Sequence, residues 1–257
     1  MTGKIEREIF NLREEHPLVI PQFDPEKWRI EEVEKAMKIL KEETDIQVIS
    51  VGSSVANARK MQQIIDIISK DNGLISISYI TNSAIPSIQG IKGKSAVYWS
   101  FFPNSQNPYF EKDLLINSSR AIKENDFEAI PTAYVFDDRE TLSTSTWILR
   151  AFPVPRNKPE ITISIGLAMQ FLGIKFYIMA GGSGAKLPPP VQHIKALRQN
   201  TNLFIIPTSG IKTELDAEDM FKHGGDAIHV GHLIEEKGIK SIIPLWKTSK
   251  NYEGRSF

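Results

Sequence analysis

The sequence predicts a single (β/α)8 barrel of the TIM type, and three observations carry that prediction. The chain has 257 residues, the usual length of one such domain. Short β-rich runs alternate with longer amphipathic stretches, the pattern of βα units around a parallel sheet. The β-rich runs number about eight, at which a sheet closes on itself. An open doubly wound sheet is the alternative architecture with the same alternation.

Leu18 to Phe23 is the first strand. Glu31 to Glu43 carries Val33, Ala36, Met37 and Leu40 at helical spacing, and Ile46 to Val51 follows as the second strand. A helix over Val55 to Ser69 leads to a third strand over Leu74 to Tyr79. The next stretch, Thr81 to Lys94, is rich in Gly, Pro, Ser and Asn and makes a poor helix. Ala96 to Phe102 gives a fourth strand, Asp113 to Glu124 a helix, and Phe127 to Phe136 a fifth strand, with an irregular stretch to Pro159. Ile161 to Leu172, Val191 to Gln199, Asp216 to His223 and Ile234 to Lys247 are helical. Between them run strands over Lys175 to Met179, Leu203 to Pro207 and Ala227 to Val230. Residues 1–16 are expected as a lead-in and 248–257 as a tail, with no internal repeat.

Thirty-one basic residues balance thirty-one acidic ones, so no summed field draws the surface toward nucleic acid, and any anion must be gripped locally. Cysteine is absent, which excludes disulfides and thiolate metal sites. Met1 to Arg13 is charged and lacks the apolar core of a secretory signal, so a cytoplasmic location is expected. No apolar run approaches the ~20 residues of a membrane-spanning helix, so a lipid substrate would be met at the bilayer surface.

Three small-residue loops each follow a strand: Gly181-Gly182-Ser183-Gly184-Ala185, Thr208-Ser209-Gly210-Ile211 and Gly231-His232. Small residues let backbone N–H groups approach an anion, and barrels often hold phosphate after their last two strands. A lone loop of this kind is more often a bare turn; three in register predict a phosphate site. Gly181 to Lys186 is not a P-loop, because Ala185 precedes Lys186 and Pro188-Pro189-Pro190 follows. Asp24, in Phe23-Asp24-Pro25-Glu26-Lys27, sits at the C-terminal end of the first strand, where a carboxylate serves a hard cation such as Mg2+. Asp-Pro also initiates turns and caps helices, so both readings stand. Gly52-Ser53-Ser54 adds hydroxyls near the same ion. His223, His229 and His232 surround the last strand, but its alternation sends His229 and His232 to opposite faces and argues against a shared metal. Tyr98, Trp99, Phe101, Phe102 and Tyr109 are core aromatics or line a prenyl groove, and Trp28 is equally open.

In order and spacing these motifs resemble the geranylgeranylglyceryl phosphate synthase family, leaning to its archaeal branch. Asp24-Pro25-Glu26-Lys27 is similar to the family's Asp-Pro-Asp-Lys, Val51-Gly52-Ser53-Ser54 to its Val-Gly-Gly-Ser, and Pro103-Asn104-Ser105 to its Leu-Asn-Ser. Tyr134 stands at its Gly-Tyr-Ile strand, and Phe152 to Ile161, Tyr177 to Ala185 and Gly225 to Gly231 continue the match. The resemblance covers Pro17 to roughly Lys247. It implies a Mg2+-dependent prenyltransferase joining sn-glycerol 1-phosphate to an isoprenoid diphosphate, on a barrel whose third helix is an extended segment. It places Asp24 and Ser54 on the ion. Tyr177, Gly182, Ser183, Gly184, Ser209, Gly210, Gly231 and His232 fall on the glycerol phosphate, with Asp24 and Tyr177 as catalytic residues. A homodimer or hexamer, and peripheral contact with a membrane, are the expected associations.

The chain departs from the family where Tyr-Leu-Glu-Ala-Gly-Ser-Gly-Ala becomes Tyr177-Ile178-Met179-Ala180-Gly181-Gly182-Ser183-Gly184-Ala185, one residue longer. No carboxylate falls at the presumed general base, and Met179 stands in for the Glu. The family's Gly-Gly-Gly-Ile is Thr208-Ser209-Gly210-Ile211, and its final Asn is His232. Two rival readings stay open: a non-catalytic paralogue that binds phosphate or prenyl phosphate, and a sugar-phosphate isomerase or aldolase barrel.

Overall fold

The computed structural model describes residues 3–55, 57–79, 94–107, 115–138 and 140–252. Eight strands form one sheet: β1 (Leu18–Phe23), β2 (Val48–Val51), β3 (Ile75–Tyr79), β4 (Lys94–Phe101), β5 (Glu128–Phe136), β6 (Phe176–Ala180), β7 (Phe204–Pro207) and β8 (Ala227–Val230). Neighbours pair in parallel in the order β7-β6-β5-β4-β3-β2-β1-β8. The barrel shuts between β7 and β8, where the Asp226 N–H donates to the Ile205 carbonyl at 2.8 Å and Thr208 bridges His229 in parallel. The closed parallel barrel predicted above is therefore the fold, and the open sheet is excluded. The strands read as continuous apolar runs because helices cover one face and the barrel core the other.

The outer layer holds α2 (Ile30–Glu43), α3 (Ala58–Ile68), α4 (Asn117–Glu124), α5 (Thr144–Ile148), α6 (Pro159–Phe171), α7 (Val191–Asn200), α8 (Glu214–Lys222), α9 (His232–Lys237) and α10 (Ile243–Lys250). Ser143 caps α5 and Thr213 caps α8, each through a hydroxyl that accepts an N–H of the first turn. The stretch expected as irregular thus contains the short α5, and the last helix divides into α9, a 3-10 turn over Ile239–Ile242, and α10. The extended segment expected over Thr81 to Lys94 lies outside the described residues but for Lys94, as do Tyr109 and the start of the helix expected from Asp113.

The N-terminal lead-in forms a helix, α1 (Lys4–Glu15), which closes the N-terminal mouth of the barrel. The Ile5 and Glu6 N–H groups donate to the Glu128 carboxylate at 2.8 and 2.7 Å, an acid on the positive end of a helix. Phe10 packs on Phe176 and Phe204 with ring centroids 5.5 and 5.4 Å away. Lys94 pairs with Glu8, and Lys175 with Glu6. The abundance of charge that hid this helix in the sequence is the set of ion pairs that fastens it.

Inside the barrel, register puts Tyr79, Tyr98, Phe176, Phe204 and His229 on one face. The Tyr79 hydroxyl bonds His229 Nδ1, and the Tyr98 hydroxyl lies 3.2 Å from Nε2. Burial lowers His229 to about 3, so the ring is neutral at physiological pH. His229 is therefore a satisfied core residue.

Asp226, at the foot of β8, accepts from Arg13 Nε of α1 at 3.0 Å and from the Ile205 N–H of β7 at 2.7 Å, and pairs with Arg198 of α7. Breaking a buried pair by removing one partner costs about 3–5 kcal/mol. Asp226→Ala should therefore lower the melting temperature by roughly 6 °C or more in a chain of this size. A thermal melt within about 2 °C of wild type would show that the seam does not depend on this carboxylate.

Candidate functional site

A cavity of about 110 Å3 opens at the C-terminal rim of the barrel, and the three small-residue loops meet there. Gly182, Ser183 and Gly184 come from the end of β6, Thr208, Ser209 and Gly210 from β7, and Gly231 and His232 from β8. Backbone conformation explains the residue types. Gly182, Gly184 and Gly210 have φ of +79°, +77° and +72°, where a side chain meets its own backbone. Ser209 adopts +69° as well, the strained neighbour of Gly210. A Cβ on Gly182 would fall 2.1 Å from Ser143 Oγ, and one on Gly210 would fall 2.1 Å from the Leu187 carbonyl oxygen. The loops are packed against their surroundings as well as turned.

Opposite them, Asp24 and Ser54 border the same cavity. Asp24 Oδ1 accepts the Glu26 N–H at 2.9 Å, so the turn-making and rim-facing readings of Asp24 hold together. Glu26 in turn accepts the Asn57 N–H at 2.8 Å, tying the β1 loop to the start of α3. Asp24 and Ser54 supply oxygen donors of the hard kind that Mg2+ takes. Among the described residues no three His, Asp or Glu side chains converge as a ready metal site. A metal would thus take few protein ligands and complete its shell with phosphate oxygens and water.

Tyr177 is not part of this cavity. Tyr134 lines it and pairs with Ile178, so strand alternation aims Phe176, Ile178 and Ala180 inward and Tyr177 and Met179 outward. Tyr177 is fully buried on the helix-facing side, where its hydroxyl has no hydrogen-bond partner and burial raises it well above the usual phenol range. Counted back from the Gly182-Ser183-Gly184 loop, the inserted residue moves the family's Tyr position to Ile178 and its Glu position to Ala180. Both placements read from Tyr177 and Met179 are corrected by one residue, and the absence of a carboxylate from the end of β6 stands.

The cavity also takes residues outside the expected site set. Gln22, Tyr79 and Ser145 line it, as do Lys27 and Glu235, and Tyr134, matched above to the family's Gly-Tyr-Ile strand, joins them. Lys27 had a signal, as the last residue of Asp24-Pro25-Glu26-Lys27; Glu235 reads in sequence like any solvated helix acid. The other singled-out residues divide. Trp28 packs edge-on against Phe23 with centroids 4.9 Å apart, and His223 bonds the Asp219 carbonyl. Tyr98 belongs to the barrel interior, whereas Trp99 and Phe101 take alternate positions on β4 and pack together at 5.5 Å.

Gly210→Ala should abolish anion binding at this rim and lower stability, because strain and a backbone clash add together. Gly184→Ala meets nothing within 4 Å, so only left-handed strain of about 1–2 kcal/mol remains. Thermal melts and phosphate titrations of the two variants check this, and equal losses would refute the packing account.

A model of the PcrB family matches residues 10–248. A geranylgeranylglyceryl phosphate synthase of Methanosphaera stadtmanae is 31% identical over 234 residues, covering 90% of this chain and 93% of its own. The synthase of that name from Pyrococcus furiosus is 29% identical and covers 92% of each chain. A crystal structure of (S)-3-O-geranylgeranylglyceryl phosphate synthase from Thermoplasma acidophilum, solved with its substrate sn-glycerol-1-phosphate, superposes with a TM-score of 0.85 at 20% identity. It spans 98% of this chain and the whole of its own, and shows the same barrel. Matched over nearly its full length in sequence and fold, the chain belongs to the PcrB family, alongside the geranylgeranylglyceryl phosphate synthases.

Proposed function

We propose that this protein is a prenyltransferase that joins an isoprenoid diphosphate, geranylgeranyl by default, to sn-glycerol 1-phosphate and forms the ether bond of archaeal-type lipids. One observation carries the reading. Three small-residue loops, two of them turned by left-handed backbone at Gly182, Gly184 and Gly210, share a cavity with Asp24 and Ser54. Such a cavity suits one phosphate held by backbone and one diphosphate held through a metal. The relatives' names supply the chemistry.

In the reaction the free hydroxyl of glycerol phosphate forms a C–O bond to the allylic carbon as the C–O bond to diphosphate breaks, and the hydroxyl proton leaves. Gly182 to Gly184, Ser209-Gly210 and Gly231-His232 hold the glycerol phosphate and fix the hydroxyl. Asp24 and Ser54 would hold Mg2+, which would neutralise charge on the departing diphosphate. With Ala180 at the family's base position, no β6 side chain takes the proton. A diphosphate oxygen serves, because the attacking oxygen turns strongly acidic as its new bond forms. That same loss favours the paralogue reading, in which the cavity binds without turnover. The isomerase or aldolase reading loses its lysine, since Lys175 lies at the opposite mouth paired with Glu6.

No helix among the described residues is long and apolar enough to cross a membrane. Exposed Ile161, Phe171 and Leu172 near α6, and Leu142, Trp147 and Phe152 around α5, support a homo-oligomer and contact with a membrane surface. We infer a cytoplasmic enzyme on this basis.

Incubation with sn-glycerol 1-phosphate, Mg2+ and labelled prenyl diphosphates of several lengths should yield the ether product. Asp24→Asn keeps the turn but should cut turnover more than about tenfold, or ~1.4 kcal/mol. Silence of the wild type with every length would overturn the proposal in favour of the paralogue.

Restoring a carboxylate separates the two readings further. Ala180→Glu should raise turnover no more than about tenfold, well short of the 10²–10⁴-fold of a required general base. Met179→Glu should lower the melting temperature instead, because it buries a charge on the helix side. A silent wild type awakened by Ala180→Glu would show that proton removal needs a protein base.

A further inference from the structure

Lys27 and His232, the basic side chains lining the cavity among the described residues, both lie near the Glu235 carboxylate, and His232 Nε2 also lies 3.2 Å from Glu236 Oε1. Lys27 Nζ lies 2.7 Å from Glu235 Oε2, and His232 Nδ1 lies 3.6 Å from the same oxygen. Lys27 Nζ also accompanies Ser183 Oγ at 3.2 Å, in the middle of the first anion loop, and stands 3.9 Å from Asp24 Oδ2. Among the described residues that line the cavity, Lys27 is the sole lysine or arginine. The Glu235 side chain is 12% exposed and fixed at the start of α9, whereas that of Lys27 is 41% exposed on a flexible stem.

Backbone N–H groups and helix ends offer only partial charge to a phosphate dianion. A full positive charge within reach of the loops adds a charge-assisted bond, roughly twice as strong as a neutral one. The ammonium group is already against Ser183, so a small swing of its stem carries it from the carboxylate to a phosphate oxygen. Glu235 holds the ammonium as a bound anion would. Once Lys27 leaves it, the carboxylate stands beside phosphate as a like charge.

We propose that Lys27 is the cation that binds the phosphate of the acceptor substrate, and that Glu235 is a stand-in anion that holds Lys27 until that phosphate arrives. This rests on the prenyltransferase reading for the identity of the phosphate. It makes an uncommon claim about Glu235: loss of its charge improves binding. An ion pair that only stiffens the rim would do the reverse, since its loss would loosen the loops. A carboxylate serving as a metal ligand would show itself in divalent-cation affinity.

The test is calorimetric titration of the full-length protein with sn-glycerol 1-phosphate, without prenyl diphosphate or metal, followed by a separate titration with Mn2+. Lys27→Met should bind glycerol phosphate about 10- to 100-fold more weakly while melting at the wild-type temperature, and Lys27→Arg should stay within about tenfold of wild type. Glu235→Gln, which keeps the shape, should bind at least about threefold more tightly, with Mn2+ affinity unchanged. Unchanged binding by Lys27→Met, weaker binding by Glu235→Gln, or lost Mn2+ affinity in Glu235→Gln each overturns the proposal while leaving the prenyltransferase reading in place. A wild type that binds no glycerol phosphate overturns both.

Discussion

The seam between β7 and β8 is the constraint on which the rest of the molecule depends. A parallel barrel has no free edge only if its last strands meet, and here they meet through few direct bonds. Asp226 compensates by gathering the Ile205 N–H, Arg13 and Arg198, so that β7, α1 and α7 are pinned to the foot of β8. At the top of the same seam stand two of the three anion loops, Thr208 to Gly210 and Gly231-His232. The spacing of those loops is set by the closure beneath them. A carboxylate at one mouth therefore governs the loop geometry at the other, without any contact between them.

The layer between those two mouths is polar where a barrel core is usually aliphatic. Tyr79 and Tyr98 flank His229, whose ring burial keeps uncharged. A neutral imidazole offers one donor and one acceptor, and two hydroxyls satisfy both, so the cluster avoids the cost of an unpaired buried group. Tyr79 also forms part of the cavity wall. Its ring is held from below by His229 and from the side by Tyr134, with centroids 5.5 and 5.9 Å apart. The floor under the substrate is thus rigid for the same reason that the core is stable.

The strands and the meeting of three small-residue loops at one rim were legible in the sequence because each rests on a local rule. Buried parallel strands are apolar runs, and left-handed turns need glycine. What was illegible depended on distant partners. The N-terminal helix looks solvated until Glu128, Lys94 and Lys175 are known to lie beneath it. Glu235 looks solvated until Lys27 is brought across the rim to meet it. Both are cases of charge that reads as surface because its counter-charge comes from elsewhere in the chain. Asp24 was legible twice over, as a turn residue and as a rim carboxylate, and the fold uses it in both positions.

The β6 strand shows how one residue redirects chemistry. Side chains alternate with a period of two, so a slip of a single position exchanges the inward and outward faces. Aligned from Tyr177, the missing base is Met179; aligned from the loop, it is Ala180, and the register with Tyr134 selects the loop. The interior position therefore carries a methyl group beside the anion loops rather than a flexible thioether. On the mechanism proposed above, which uses no carboxylate there, charge in the cavity supplies a reason. Among the described residues Asp24 and Glu235 already face it, against the full positive charge of Lys27. A third acid next to two phosphorylated substrates adds repulsion and must shed its water, which raises its own pKa and weakens its anionic form. If, as proposed, diphosphate oxygens take the proton, the cavity gains more from holding its anions than from supplying another.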